Sequence, residues 1–415
     1  MLDTRRNLKT GGLLFFGGWI LFIYHIQFPR GHCFDEFHYI PAAKQWLLGG
    51  EVMNLEHPPL GKYLIALGIA LWGDIPLGWR FMSSIFGSLT LVGMWAWARA
   101  LLNSEKGALW VAGITVTNQL LYVQSRIGML DTFMFAFLVW GLAAFTSIWM
   151  RNMDRTSVRR RLAFLGVMLG LAIASKWFAI VAWLGVVGLV ALGPKKLWQQ
   201  VGLPYLVWTL ILLPAFTYFF TYLPYFGAKG PIHSLGDWFR FQHQMYAAQL
   251  RVATQHPYMS QWSDWPLLNR PIWYAFDKEG IHDEGVRGVL LLGNPLIMIS
   301  GLIAVAACLW DWIEARRQDS FLVVFFWTLF YGSWLIIPRK IAFYYYYYPA
   351  GMVLGLALGR IFFPSEDPER NDIQMLRALF LLGSLALFIY FYPLLSALLI
   401  PTESFRKWMW FSTWI

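Results

Sequence analysis

"HPPLGKYLIALGIALWG" (residues 57–73) begins with two prolines and then runs apolar, with Lys62 as its one formal charge. It resembles a short membrane span. Counted as a crossing, it would reverse every later helix and move the arginine-rich loop at 151–161 to the side opposite the basic N-terminus. Left on the surface, it keeps the basic loops together, as lysine and arginine asymmetry requires of a membrane protein. We therefore read it as an interfacial helix that starts at the prolines.

The rest of the chain supports a membrane setting. Of 415 residues, 58% are hydrophobic and 13% charged, about half the charge of a soluble protein. Apolar runs of about 20 residues recur to the end. Candidate spans are 11–29, 78–101, 107–124, 130–150, 161–175, 177–193, 199–223, 287–313, 319–337, 341–362 and 376–400. The run 161–196 is too long for one crossing, so it is read as two short helices meeting at Lys176. The basic loops before residue 11, at 151–161, at 195–196 and at 316–317 then share one side, assigned as cytoplasmic. The expected architecture is an all-α polytopic membrane protein with about 11 transmembrane helices. It forms a single membrane domain over 1–415, with outer loops at 30–77 and 224–286. The net charge of +10 is accounted for by those loops, so nucleic acid is not an expected partner. Cys33 and Cys308 lie in separate segments and suggest neither a disulfide framework nor a metal site.

This threading brings scarce polar groups to the outer face, although only the basic loops on the other face were used to orient the chain. The first outer loop carries Asp35 and Glu36. Arg126, Lys176, Arg339 and Lys340 reach the same surface. Any single cation there can snorkel or meet a lipid headgroup, but four beside an acidic pair suit a phosphate. Asp35 or Glu36 would then act as a general base on an attacking hydroxyl; the alternative for Asp35 is to cap a helix over 36–48. His57, Lys62, Asp131 and Tyr344 are candidates for positioning the substrate. The aromatics of 224–286 suit either an interfacial belt or a sugar platform. A divalent cation (Mg or Mn) would be compatible with such a phosphate site, but no His, Asp or Glu spacing calls for one.

"DEFHY", "HPPLGKYLIALG", "RFMSSIFGSL", "SRIGMLDTFMFAF", "LGLAIASKW" and "LLGNP" occur in the order found in protein O-mannosyltransferases, and the chain resembles that family of GT-C glycosyltransferases. The resemblance implies inverting transfer of a hexose, mannose by preference, from a polyprenyl phosphate to a hydroxyl, with Ser or Thr of translocated proteins as acceptor. It implies Asp35 as base, Glu36 as a positioning group, and Arg126 and Lys176 at the donor phosphate. The 224–286 loop is too short for the MIR domain of eukaryotic members, so the likeness is to bacterial ones, in the inner membrane with the site on the periplasmic face. Aminoarabinose transferases are similar too, which keeps a lipid or glycan acceptor as the alternative. A transporter or non-catalytic membrane protein is the remote one; a transporter would place charges at mid-membrane, often in repeated halves, and no paired halves are found here.

Overall fold

The computed structural model describes residues 2–193, 195–226, 230–252, 256–279, 285–337, 339–364 and 372–414. Pro338 and parts of the 224–286 and 363–375 loops lie outside these. The chain is mostly helical. It opens with α1 (Leu2–Ile23), α2 (Glu36–Leu47), α3 (Leu60–Trp72), α4 (Pro76–Leu102), α5 (Glu105–Val116), α6 (Gln119–Gln124), α7 (Leu130–Met150), α8 (Arg155–Ser175) and α9 (Ala179–Leu192). Among the described residues, five helices are long and apolar enough to cross a membrane: α4, α7, Leu203–Phe220, Pro295–Ala315 and Gln374–Leu395.

α3 is short for a membrane crossing. Its 13 residues rise about 20 Å, against a hydrocarbon core of about 30 Å. Pro59 stands at its N-cap and Gly73, at φ 83°, ends it. It lies against α4, where Gly68 meets the Gly78 carbonyl so closely that a Cβ would collide.

α4, α7 and α8 pack side by side. α4 is buried along most of its length although it carries Ser83, Ser84, Ser88 and Thr90. Three of these hydroxyls return to their own helix, as Ser88 does to Ser84 O at 2.9 Å and Thr90 to Phe86 O at 2.9 Å, so the helix buries them without open hydrogen bonds. Trp97 Nε1 reaches Thr146 Oγ1 at 2.9 Å and ties α4 to α7. α8 and α9 break at Lys176, whose backbone is extended at φ −159°.

Three expectations are corrected. The region 107–124 is two helices, because Asn118 caps α6 by accepting from Leu120 N at 3.2 Å. The chain is not all-α. β1 (Ile272–Glu279), β2 (Gly285–Leu291) and β3 (Leu399–Pro401) form an antiparallel sheet in the order β1-β2-β3. Residues 287–291, expected to begin a span, belong to β2. A short apolar run has no period that separates a buried strand from a helix, and the helix starts only at Pro295, capped by Asn294. The last segment is stitched to this sheet: Trp273 Nε1 donates to Trp414 O and Trp414 Nε1 to Leu268 O, both at 2.7 Å.

α8 crosses Leu203–Phe220 at glycines. A Cβ at Gly166 would strike Thr209 O, and one at Gly170 would strike Thr217 and Pro214 O. Small residues one turn apart let membrane helices approach closely. Gly170→Leu should therefore pry this crossing apart and cost about 1–3 kcal/mol, as overpacking does. Thermal unfolding in detergent would check this; an unchanged midpoint would mean the crossing tolerates separation.

Candidate active site

Glu36 and Arg80 organise the entrance loop. The pair is fully buried, with both side chains at 0% exposure. Arg80 Nε meets Glu36 Oε1 and Nη2 meets Oε2, each at 2.8 Å. The same guanidinium donates to the carbonyls of Ile26, Pro29 and Gly31. Glu36 also accepts from Cys33 N and Gly128 N, both at 2.8 Å. Every Glu36 lone pair in good geometry is therefore spent inside the protein. The carboxylate joins three segments: the 24–36 loop, α4 and the α6–α7 turn.

Asp35, one residue earlier, behaves differently. It occupies the N-cap position of α2 but makes no cap hydrogen bond, so the helix-capping alternative is not what its side chain does. Its Oδ2 accepts from Tyr39 Oη at 3.0 Å and lies 3.5 Å from Tyr345 Oη. No hydrogen bond reaches Oδ1 among the described residues. Asp35 is half-buried. Burial holds its carboxyl above the ordinary range; the Lys176 charge and the Tyr39 hydroxyl pull it back, while Asp131 pushes it further up.

The Lys176 ammonium sits at the break between α8 and α9. It pairs with Asp131 Oδ2 at 2.7 Å, and both side chains are under a tenth exposed. It also faces the rings of Tyr345 and Tyr346, at 4.8 and 5.4 Å from their centroids. An ammonium has three donors, so one ion pair leaves directions open. Arg339 donates to Tyr346 Oη and Gln249 Oε1, and Gln249 lies beside His57 Nδ1 at 3.5 Å. The His57 ring meets Tyr39 edge to face. Burial, then the cations Lys176, Lys62 and Arg339, hold His57 well below its usual value, so it is neutral.

The structure thus brings Asp35, His57, Asp131, Lys176 and Arg339 into one connected cluster. It places the other expected residues elsewhere. Lys62 is buried and donates to the carbonyls of Asn54 and His57 at 2.7 and 3.0 Å, anchoring the loop before α3; burial pushes its ammonium down to about 7. Arg126 donates to the Phe22 and Tyr24 carbonyls at the end of α1, while its buried Nη2 has no partner among the described residues. Tyr344 turns away and its hydroxyl accepts from Gly293 N at 3.1 Å. Tyr344–Tyr347 is a 3-10 turn with three residues per turn, so neighbours point about 120° apart, and Tyr345 faces Asp35 instead. Lys340 is exposed and, with Arg339, Asp264, Trp262, Trp265 and Trp334, lines a cavity of about 760 Å³. Trp334 stacks on Tyr346 at 4.4 Å, so cavity and cluster share a wall.

The expected residues did not include Tyr39, Arg80 or Gln249 as parts of this site, and of the run Tyr344–Tyr348 they named Tyr344 rather than Tyr345 or Tyr346. Two had a signal. Tyr39 lies four residues after Asp35, one helical turn on. Arg80 lies just inside a membrane span, where an ionisable side chain marks function by default. Among the described residues, no group of three His, Cys, Asp or Glu side chains is gathered to hold a metal ion.

If Glu36 is structural, Glu36→Gln should leave Arg80 buried and uncompensated. The cost should be about 3–5 kcal/mol, read as a lowered unfolding midpoint in detergent. A midpoint equal to wild type would remove Glu36 from this bracing role.

Comparison with known proteins agrees along nearly the whole chain. Residues 12–79 and 56–220 match family models described as dolichyl-phosphate-mannose-protein mannosyltransferase. Residues 234–414 match the C-terminal four-transmembrane region of protein-O-mannosyltransferase. The chain is 26% identical to a polyprenol-phosphate-mannose–protein mannosyltransferase of Mycolicibacterium smegmatis, over 92% of this chain and 87% of that one. In fold it is similar to a chain of the Saccharomyces cerevisiae protein O-mannosyltransferase Pmt1-Pmt2 complex bound to the sugar donor, with a TM-score of 0.82, 15% identity and coverage of 99% and 93%. Cupriavidus metallidurans ArnT bound to undecaprenyl phosphate is a more distant fold neighbour, with a TM-score of 0.58 and 14% identity over 86% of this chain and 59% of that one.

Proposed function

We propose that this chain, which belongs to the protein O-mannosyltransferase family, moves mannose from a polyprenyl phosphate to a Ser or Thr hydroxyl of a protein acceptor. The observation that carries the mechanism is the contrast between the adjacent acids. Glu36 is saturated by Arg80 and two backbone N–H groups, whereas Asp35 keeps one oxygen without a partner among the described residues and the other held by Tyr39. Asp35 is thus the base and Glu36 the positioning residue.

In this reading the acceptor hydroxyl gives its proton to Asp35 Oδ1 as its oxygen attacks the anomeric carbon. The bond from that carbon to the phosphate oxygen breaks, and its electron pair leaves with the lipid phosphate. A single displacement inverts the anomeric configuration. Arg339 and Lys340, at the cavity wall, stabilise the departing phosphate together with Lys176; the unpartnered Nη2 of Arg126 makes that residue a further donor-side candidate. A divalent cation, if bound, would share the phosphate charge. The eleven-span arrangement, with a cytoplasmic N-terminus and the cluster facing the periplasm of a bacterial inner membrane, belongs to the same proposal.

Asp35→Asn should abolish transfer in a reconstituted assay with polyprenyl-phosphate mannose while donor binding and the unfolding midpoint stay near wild type. Turnover near normal would remove Asp35 as base. Loss of an envelope glycolipid rather than of protein O-mannose in a deletion strain would redirect the acceptor to lipid. A base works only when ionised, and burial raises the Asp35 carboxyl. The acid limb of kcat/KM should therefore lie above the ordinary aspartate value of about 3.9; a limb at or below that value would contradict this assignment.

A further inference from the structure

At the ends of α4, α7 and α8 remote from Asp35, four arginines surround a crevice of about 340 Å³: Arg99, Arg151, Arg160 and Arg161. Their compensation is thin. Arg99 pairs with Glu105 at 2.9 Å. Arg151 spends Nη2 on the Arg99 carbonyl at 2.8 Å, and its Nε is buried without a partner among the described residues. Arg160 and Arg161 are exposed at the start of α8. Guanidinium groups gathered round one crevice repel one another, and an anion among them relieves that repulsion.

The crevice does not end at the arginines. Trp140 and Phe164 line it and also line a second, apolar crevice of about 310 Å³ with Phe86, Leu89, Phe137 and Met168. The two crevices adjoin at Trp140 and Phe164 and together make a trough with basic groups at one end and aliphatic and aromatic side chains at the other. Along α4, Arg99 and Leu89 are separated by about 15 Å at 1.5 Å per residue. That is half of the roughly 30 Å core, the depth of one leaflet.

We propose that this trough is a binding site for an anionic phospholipid. Its headgroup phosphate bonds to Arg99, Arg151, Arg160 and Arg161, and one acyl chain lies along Trp140 and Phe164 towards Leu89. An arginine fork suits phosphate oxygens, and a basic pocket between membrane helices suits an acidic headgroup. The site is distinct from the Asp35 cluster at the opposite ends of the same helices.

The test uses delipidated full-length protein in nonionic detergent, titrated with phosphatidylglycerol or phosphatidylcholine and read by native mass spectrometry. Phosphatidylglycerol should be retained in preference. The R160A/R161A double variant, which removes two exposed charges, should weaken retention by roughly tenfold or more, as losing charge-assisted contacts does. Phe164→Asp, which puts a carboxylate in the trough, should do the same. Equal retention of phosphatidylcholine, or wild-type retention by both variants, would overturn the proposal. So would displacement by millimolar inorganic phosphate, which would assign a free-anion site, or by an equal amount of polyprenyl phosphate, which would assign a site for the carrier lipid.

Discussion

A guanidinium and a carboxylate sealed away from water hold the 24–36 loop of this protein against α4 and the α6–α7 turn. Taking both ions out of water costs several kcal/mol each, and only close geometry with further hydrogen bonds repays it. Arg80 and Glu36 meet that condition, with two mutual bonds, three carbonyls on the arginine and two N–H groups on the carboxylate. Apolar packing could fill this space, but it could not dictate the direction of the loop from residue 24 to residue 36. The ion pair does, and Asp35 inherits its place because it adjoins Glu36 at the first turn of α2.

The remaining polar groups follow the same economy. Lys176 is matched by Asp131. Far from the site, Arg360 is matched by Asp311 at 2.8 Å. The hydroxyls of Ser84, Ser88 and Thr90 return to their own helix. What stays uncommitted is therefore informative. Oδ1 of Asp35 lies at one end of the bundle and the arginine crevice at the other.

Much of this was legible in the sequence. The helix expected to start at the prolines of 57–73 is present, over Leu60–Trp72. The bend at Lys176 followed from a run too long for one crossing. The proximity of Asp35, Asp131, Lys176 and Arg339 followed from threading alone. What stayed hidden depended on direction rather than on position. Neighbouring tyrosines in a 3-10 turn face different ways, so Tyr344 and Tyr345 could not be told apart by composition. Gln249 reaches His57 and Arg339 from a helix, Leu235–Arg251, whose docking no local pattern announces. The sheet was missed because "GVRGVLL" is apolar enough for a span and too short to reveal its period.

The pairing of β2 with β3 has a consequence for the order in which the molecule is built. Val286 and Arg287 find their partners at Ile400 and Leu399, beyond all the helices from Pro295 to Leu395. The β2 edge that faces β3 therefore waits unpaired while those helices are made. The three-stranded sheet is thus a late element, completed only when Leu399–Pro401 has been made.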